Sequence, residues 1–136
     1  MPPRRWCSVV AGLTLATLAA CGGTESISVP VDAGAASLPA GETLRVELGN
    51  ANPSVGDSWH LIVPPDPAVL VDTGQVPGDD CDTPGCQTTA DWTFTAAAPG
   101  TTAVVFRYCY RSAPPACEPM PDRAPDIPLT LTVTVR

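Results

Sequence analysis

The chain has 136 residues, 14 acidic and 7 basic side chains and no lysine, for a net charge of −7. Scattered arginines in an acidic chain exclude nucleic-acid binding, because phosphate contacts need clustered cations. A chain of this length makes one domain with one modest core, and 44% apolar residues argue against disorder despite 17 prolines and 11 glycines.

The N-terminal stretch reads as a targeting segment. Arg4 and Arg5 open it, and Val9–Ala20 is apolar but too short to span a bilayer comfortably. It closes on Leu18-Ala19-Ala20-Cys21-Gly22, the order of small residues, cysteine and glycine found in a bacterial lipobox. The expectation is a lipoprotein signal peptide over residues 1–20, acylation of Cys21, a tether over 21–25, and a single domain over 26–136. A plain secretory signal is the alternative. No second apolar run is long enough for a transmembrane helix, so a lipid anchor alone would hold the protein at the outer side of a bacterial membrane, with the domain in water. Removing the signal takes away two arginines and no acid.

From Ser26 onward the pattern has period two. Ile27, Val29 and Val31 alternate with polar residues, as do Leu44, Val46 and Leu48. Trp59, Leu61 and Val63 repeat the pattern, and Val69–Val71 is a short apolar piece after a Pro-rich turn. Trp92, Phe94 and Ala96 follow, then Val104, Phe106 and Tyr108 after Pro99-Gly100, then Leu129, Leu131, Val133 and Val135 between threonines. About seven short strands with turn residues between them predict an all-β chain, an immunoglobulin-like β-sandwich. The last strand is the cleanest, since threonine on the wet face and branched aliphatics on the dry face both suit a sheet. Trp59, Trp92 and Phe106 are the expected core anchors. Three connections stand out: Asn50–Asp57, Thr73–Ala90 and Arg111–Asp126. The last two are long for a compact domain, and long loops are commonly functional.

Apart from Cys7 in the signal and Cys21, the cysteines are Cys81, Cys86, Cys109 and Cys117. An even number in an exported chain reads as two disulfides. Three pairings exist. The local ones, Cys81–Cys86 and Cys109–Cys117, are expected, with crosswise pairing of neighbouring loops as the alternative. A four-cysteine zinc site lacks its usual C-x-x-C spacing. The Asp79-Asp80-Cys81-Asp82 run lacks the Asp-x-Asp-x-Asp-Gly pattern of a calcium loop and reads as a solvated face. No metal or cofactor is expected.

Catalysis finds little support. His60 is the single histidine and sits on a predicted strand beside Trp59. Ser58 or Ser112 could be drawn into a triad with it, but no G-x-S-x-G elbow is present. The mature cysteines have better uses as an anchor and as disulfides than as nucleophiles. The expectation is a protein that is not an enzyme.

The most informative stretch is Asn52-Pro53-Ser54-Val55-Gly56-Asp57-Ser58-Trp59, a stiff turn joining two strands. Pro53 fixes its own φ and restricts Asn52, and Gly56 is free to take positive φ. Taken alone it is an ordinary β-turn. It resembles the Asn-Pro-Thr-Thr-Gly-Tyr-x-Trp loop of the chagasin family of cysteine-peptidase inhibitors. Trp92-Thr93-Phe94-Thr95-Ala96-Ala97-Ala98-Pro99-Gly100 is similar to the family's aromatic strand and glycine turn, and Phe106-Arg107-Tyr108 to its strand before the last recognition loop. The resemblance covers roughly Leu44 to Val135. It implies a reversible, monomeric inhibitor of papain-like cysteine peptidases that wedges three loops of one sandwich end into the active-site cleft. On the resemblance, Asn52, Pro53, Ser54, Val55 and Gly56 form the first loop, the region of Gly78 and Gly85 lies along the cleft, and Tyr110 and Arg111 clamp its side. The middle loop is longer here than the family's glycine-rich stretch. The last loop reads Tyr110-Arg111-Ser112-Ala113-Pro114-Pro115, where the family carries Arg-Pro-Trp. The alternative is a surface adhesion or assembly module that reuses the fold for another partner.

Overall fold

A computed structural model describes residues 23–76, 83–117 and 127–136. The expected signal segment, Cys21, Gly78, Cys81 and the acidic run at 79–82 lie outside the described residues.

Among the described residues, eight strands form two four-stranded sheets. They are β1 (Ser26–Pro30), β2 (Ala35–Leu38), β3 (Thr43–Ala51), β4 (Ser58–Val63), β5 (Leu70–Val76), β6 (Thr88–Ala96), β7 (Gly100–Cys109) and β8 (Leu129–Val135). One sheet has the order β1-β3-β6-β5 and the other β2-β8-β7-β4. This is the expected all-β sandwich. No helix among the described residues is long and apolar enough to cross a membrane.

The extra strand comes from the N-terminal segment. The chain pairs with β3 as β1, turns through a short 3-10 segment at Val31–Ala33, and pairs with β8 as β2 in the opposite sheet. Val31, expected on the first strand, is instead buried in that turn. Ala35-Ala36-Ser37-Leu38 has no β-branched residue and little β-propensity, so its pairing with β8 carries the strand. The connection expected over Thr73–Ala90 is also shorter than its sequence implies. β5 runs to Val76, and β6 begins at Thr88 and pairs Thr88, Thr89 and Ala90 with Ala51, Asn50 and Gly49 of β3.

The dry faces meet between the sheets. Leu44, Val46 and Leu48 of β3, Phe94 of β6, Val104 and Phe106 of β7, and Leu131, Val133 and Val135 of β8 are all buried. The alternation that predicted these strands therefore points the expected side chains inward. Phe106 is fully buried, and Trp59 retains 9% exposure. Trp92 is half-buried, with its ring edge-on to Phe106 and its Nε1 donating to Asp72 Oδ1 at 2.7 Å. It therefore closes the side of the core instead of filling its centre.

Register determines where the connections emerge. Ala51 at the end of β3 lies opposite Thr88 at the start of β6, and Ser58 at the start of β4 lies opposite Cys109 at the end of β7. Val76, the last residue of β5, pairs with Asp91 of β6. The β3–β4, β5–β6 and β7–β8 connections therefore leave from one pole of the sandwich.

Candidate functional site at one pole of the sandwich

The β3–β4 connection is a hydrogen-bonded 3-10 turn. Ser54 N–H donates to Asn52 Oδ1 at 3.2 Å, and Val55 N–H and Asp57 N–H donate to Asn52 O at 3.3 and 3.2 Å. The asparagine thus caps the turn with its side chain and closes it with its carbonyl. Gly56 N–H donates to Pro53 O at 3.1 Å, and Gly56 sits at φ 88° in the left-handed region. A Cβ at Gly56 would also lie 3.6 Å from Arg111 Cα, so this turn packs directly against the β7–β8 connection. Pro53, Ser54 and Val55 stay exposed at the tip, Val55 at 37%.

Both neighbouring connections are joined to this turn. On one side, Asn52 Nδ2 donates to Gly85 O at 3.5 Å and Gly85 N–H donates to Ser54 Oγ at 3.4 Å. On the other side, Asp57 Oδ2 accepts from the Tyr108 hydroxyl at 2.8 Å and Oδ1 from Arg111 N–H at 3.2 Å. Of the residues singled out in the sequence, Asn52, Pro53, Ser54, Val55, Gly56, Gly85, Tyr110 and Arg111 therefore share one pole.

The β7–β8 connection starts from a covalent closure. Cys109 and Cys117 form a disulfide, with Cα atoms 4.8 Å apart, as the local pairing anticipates. Cys86 is disulfide-bonded as well; its expected partner, Cys81, lies outside the described residues. Arg107 Nη2 donates to Cys117 O at 3.3 Å, and Ser112 Oγ donates to Tyr110 O at 3.0 Å. Arg111 is a non-glycine residue at φ 49°, and its guanidinium carbon lies 5.0 Å from the centre of the Tyr110 ring. A cation on an aromatic face is an attractive pairing, and it holds both side chains in one place.

Behind the turn is a cleft of about 400 Å³, lined by Pro53 and Asp57 of the turn, Trp59 of β4, Gln75 of β5 and Thr88 and Ala90 of β6. Trp59, one of the lining residues, stands edge-on to Tyr108, with ring centroids 5.3 Å apart. Ser58 Oγ lies 2.7 Å from His60 Nε2 on the same strand. The adjacent carboxylate, Asp57, engages Tyr108 and Arg111, so it does not complete a triad with them.

Sequence reasoning missed the part played by Asp57. The signal was present, since an acid stands where the resembled motif carries tyrosine, but its partners are 51 and 54 residues away in sequence. It missed Tyr108 as a polar partner for the same reason.

Comparison with known proteins agrees with this fold. The family model described as chagasin family peptidase inhibitor I42 matches residues 37–122. Among solved structures, the cysteine protease inhibitor EhICP2 from Entamoeba histolytica aligns at TM-score 0.59 and 17% identity, over 82% of this chain and 96% of that one. The solution structure of Amebosin aligns at TM-score 0.59 and 22% identity, over 84% of this chain and all of that one. No curated protein matches the sequence.

Proposed function

The chain belongs to the chagasin family of peptidase inhibitors, and from that premise we propose that it blocks papain-like cysteine peptidases reversibly, seating the three connections of one pole in the active-site cleft. The observation that carries this reading is the tie between loops: the Asn52–Gly56 turn is hydrogen-bonded to Gly85 on one flank and, through Asp57, to Arg111 on the other. The described parts of the three loops, joined in this way, form one stiff edge. A family of inhibitors performs no chemistry of its own, and blocking a groove requires only a surface that fits without being cleaved.

Stiffness is the source of affinity in this scheme. Ordering side chains and loops on binding costs free energy, and a turn already held by its own hydrogen bonds and a disulfide-closed neighbour avoids much of that cost. Pro53, Ser54 and Val55 are small and exposed, so the main chain of the turn can approach the partner closely. Gly85 and the residues around it lie along the cleft, and Tyr110 with Arg111 clamp its side. The stacked Tyr110–Arg111 pair takes the place of the family's Trp anchor; Tyr and Arg are both enriched among residues that dominate interfaces. An interface of standard size buries about 800 Å² per partner, within reach of three loops.

The small residues before Cys21 and the glycine after it support acylation of that cysteine, which would hold the inhibitor on the outer surface of a bacterial membrane. Mass spectrometry of the processed protein tests this directly.

The inhibition assay is a titration of papain with the purified protein, with and without reductant. Slow hydrolysis at sub-micromolar inhibitor is expected, weakened when the disulfides are reduced. Full papain activity at micromolar protein would instead favour an adhesion or assembly module.

A further inference from the structure

Asp57 is only 6% exposed, yet it has no cationic partner: among the described residues the ion pair is Arg45–Asp91, on the outer face of the other sheet. Burying a carboxylate is costly unless it is well bonded. Here both oxygens are used, and both donors are neutral: the Tyr108 hydroxyl and the Arg111 backbone amide. The two donors flank Cys109, the first half-cystine of the β7–β8 loop. Arg111 is also, among the described residues, the non-glycine residue held at positive φ, a conformation that persists only when its surroundings impose it. Asp57 supplies that imposition. It reaches from the end of the first loop, next to Gly56, where an added Cβ would lie 3.6 Å from Arg111 Cα, and bonds the backbone at the point from which the Arg111 side chain turns onto Tyr110.

We infer that Asp57 is a positioning residue for inhibition: its carboxylate sets the Tyr110–Arg111 clamp at a fixed distance from the Asn52–Gly56 turn, and so controls affinity for the peptidase through Arg111 without touching the peptidase itself. The inference rests on the proposed function and adds a residue to it. It also involves a departure from the family pattern, because the resembled motif carries tyrosine at this position. A tyrosine hydroxyl cannot offer two acceptor oxygens on one short arm; a carboxylate can.

The test uses the disulfide-intact protein and two readouts: the inhibition constant against papain, and amide hydrogen exchange at Arg111. Losing a hydrogen bond to a charged group corresponds to about a ten- to hundredfold change in an equilibrium constant. Asp57→Ala is therefore expected to raise the inhibition constant about ten- to hundredfold and to speed Arg111 exchange about tenfold or more. Asp57→Asn keeps an oxygen for the Arg111 amide but offers Tyr108 an amide N–H in place of an acceptor oxygen, and is expected to recover part of both losses, which a purely charge-dependent role would not allow. Tyr108→Phe removes one of the two bonds and is expected to weaken inhibition about threefold to tenfold; it carries the test if Asp57→Ala fails to fold. Wild-type inhibition by Asp57→Ala, no recovery by Asp57→Asn, or an unchanged inhibition constant for Tyr108→Phe would each overturn the inference. If the wild-type protein leaves papain active, the proposed function fails on its own. Arg111 exchange then decides the structural claim, and an unchanged rate in Asp57→Ala overturns it.

Discussion

Phe94 and Phe106 meet across the two sheets, ring centroids 6.2 Å apart at an interplanar angle of 68°. Phe106 also faces Trp92 edge-on at 5.8 Å, so one fully buried ring on β7 joins two aromatic residues of β6. Edge-to-face pairs of this kind add to the stabilisation that area burial alone supplies.

Phe106→Ala removes the shared ring and leaves a cavity between sheets that cannot both collapse inward. A loss of about 3–5 kcal/mol is expected, read as a lowered midpoint in urea with an unchanged slope. Val71→Ala is the control: Val71 is exposed on β5, and its substitution should shift stability by no more than about 0.5 kcal/mol. Equal effects of the two would mean that the aromatic cluster does not organise the core.

The turn makes a second prediction. Gly56→Ala forces a side chain into the left-handed region, at a cost of about 1–2 kcal/mol. The added methyl would meet Arg111 Cα at an ordinary contact distance, so backbone conformation, not collision, is the source of the strain. The expected outcome is about tenfold weaker inhibition of papain, because the strain is relieved by distorting the turn. Gly56→Asn should lose less, since asparagine tolerates this region. Equal inhibition by Gly56→Ala and wild type would show that the turn's conformation is not what the peptidase reads.

How much of this was legible in the sequence depends on how local the cause is. β8 could be read directly, because Leu129, Leu131, Val133 and Val135 each carry their own burial signal. β2 could not, since Ala35-Ala36-Ser37-Leu38 owes its conformation to β8 and has almost no preference of its own. The start of β6 was hidden as well. Asp91 is a buried acid in a strand, and what makes it tolerable is Arg45, 46 residues earlier, which donates to Asp91 Oδ2 from both Nε and Nη2. At the site, Asn52, Pro53 and Gly56 were legible because turn chemistry is local. The convergence of loops was not, because it follows from strand register, and the Asp57 bonds link segments that only the folded sandwich brings together.

The Cys109–Cys117 bond should matter more for inhibition than for folding. It closes a loop with a sequence separation of 8, and the chain-entropy model gives a stabilisation of about 2.5 kcal/mol for a loop that short. Replacing both cysteines with alanine should leave the sandwich folded, since the buried aliphatic faces of β3, β7 and β8 remain intact. The loop that carries Tyr110 and Arg111 would gain freedom that binding must remove again. The expected result is a lower melting temperature together with a larger loss of affinity, expressed mainly as faster dissociation. A double variant that melts lower but inhibits as tightly as wild type would place the clamp outside the interface.

The tip of the first loop gives the sharpest separation between stability and function. Pro53, Ser54 and Val55 are exposed, and the turn's hydrogen bonds run through backbone groups and Asn52. The Ser54 side chain adds the long bond from Gly85. Ser54→Glu with Val55→Glu therefore puts two bulky charges on a surface that folding leaves in water, and stability should change by no more than about 1 kcal/mol. If these residues sit deep in a peptidase cleft, the same change buries two uncompensated carboxylates and fills space that the main chain of the turn must occupy. Leaving a buried charge unpaired costs several kcal/mol, so inhibition should fall by a factor on the order of a thousand. Val55→Ala, which only shortens the tip, should lose about tenfold or less. The inhibition constants of the two variants, set beside their unfolding midpoints, separate a wedge from a bystander: a charged double variant that still inhibits papain like wild type would remove the Asn52–Gly56 turn from the interface and leave Gly85 and Arg111 to account for binding.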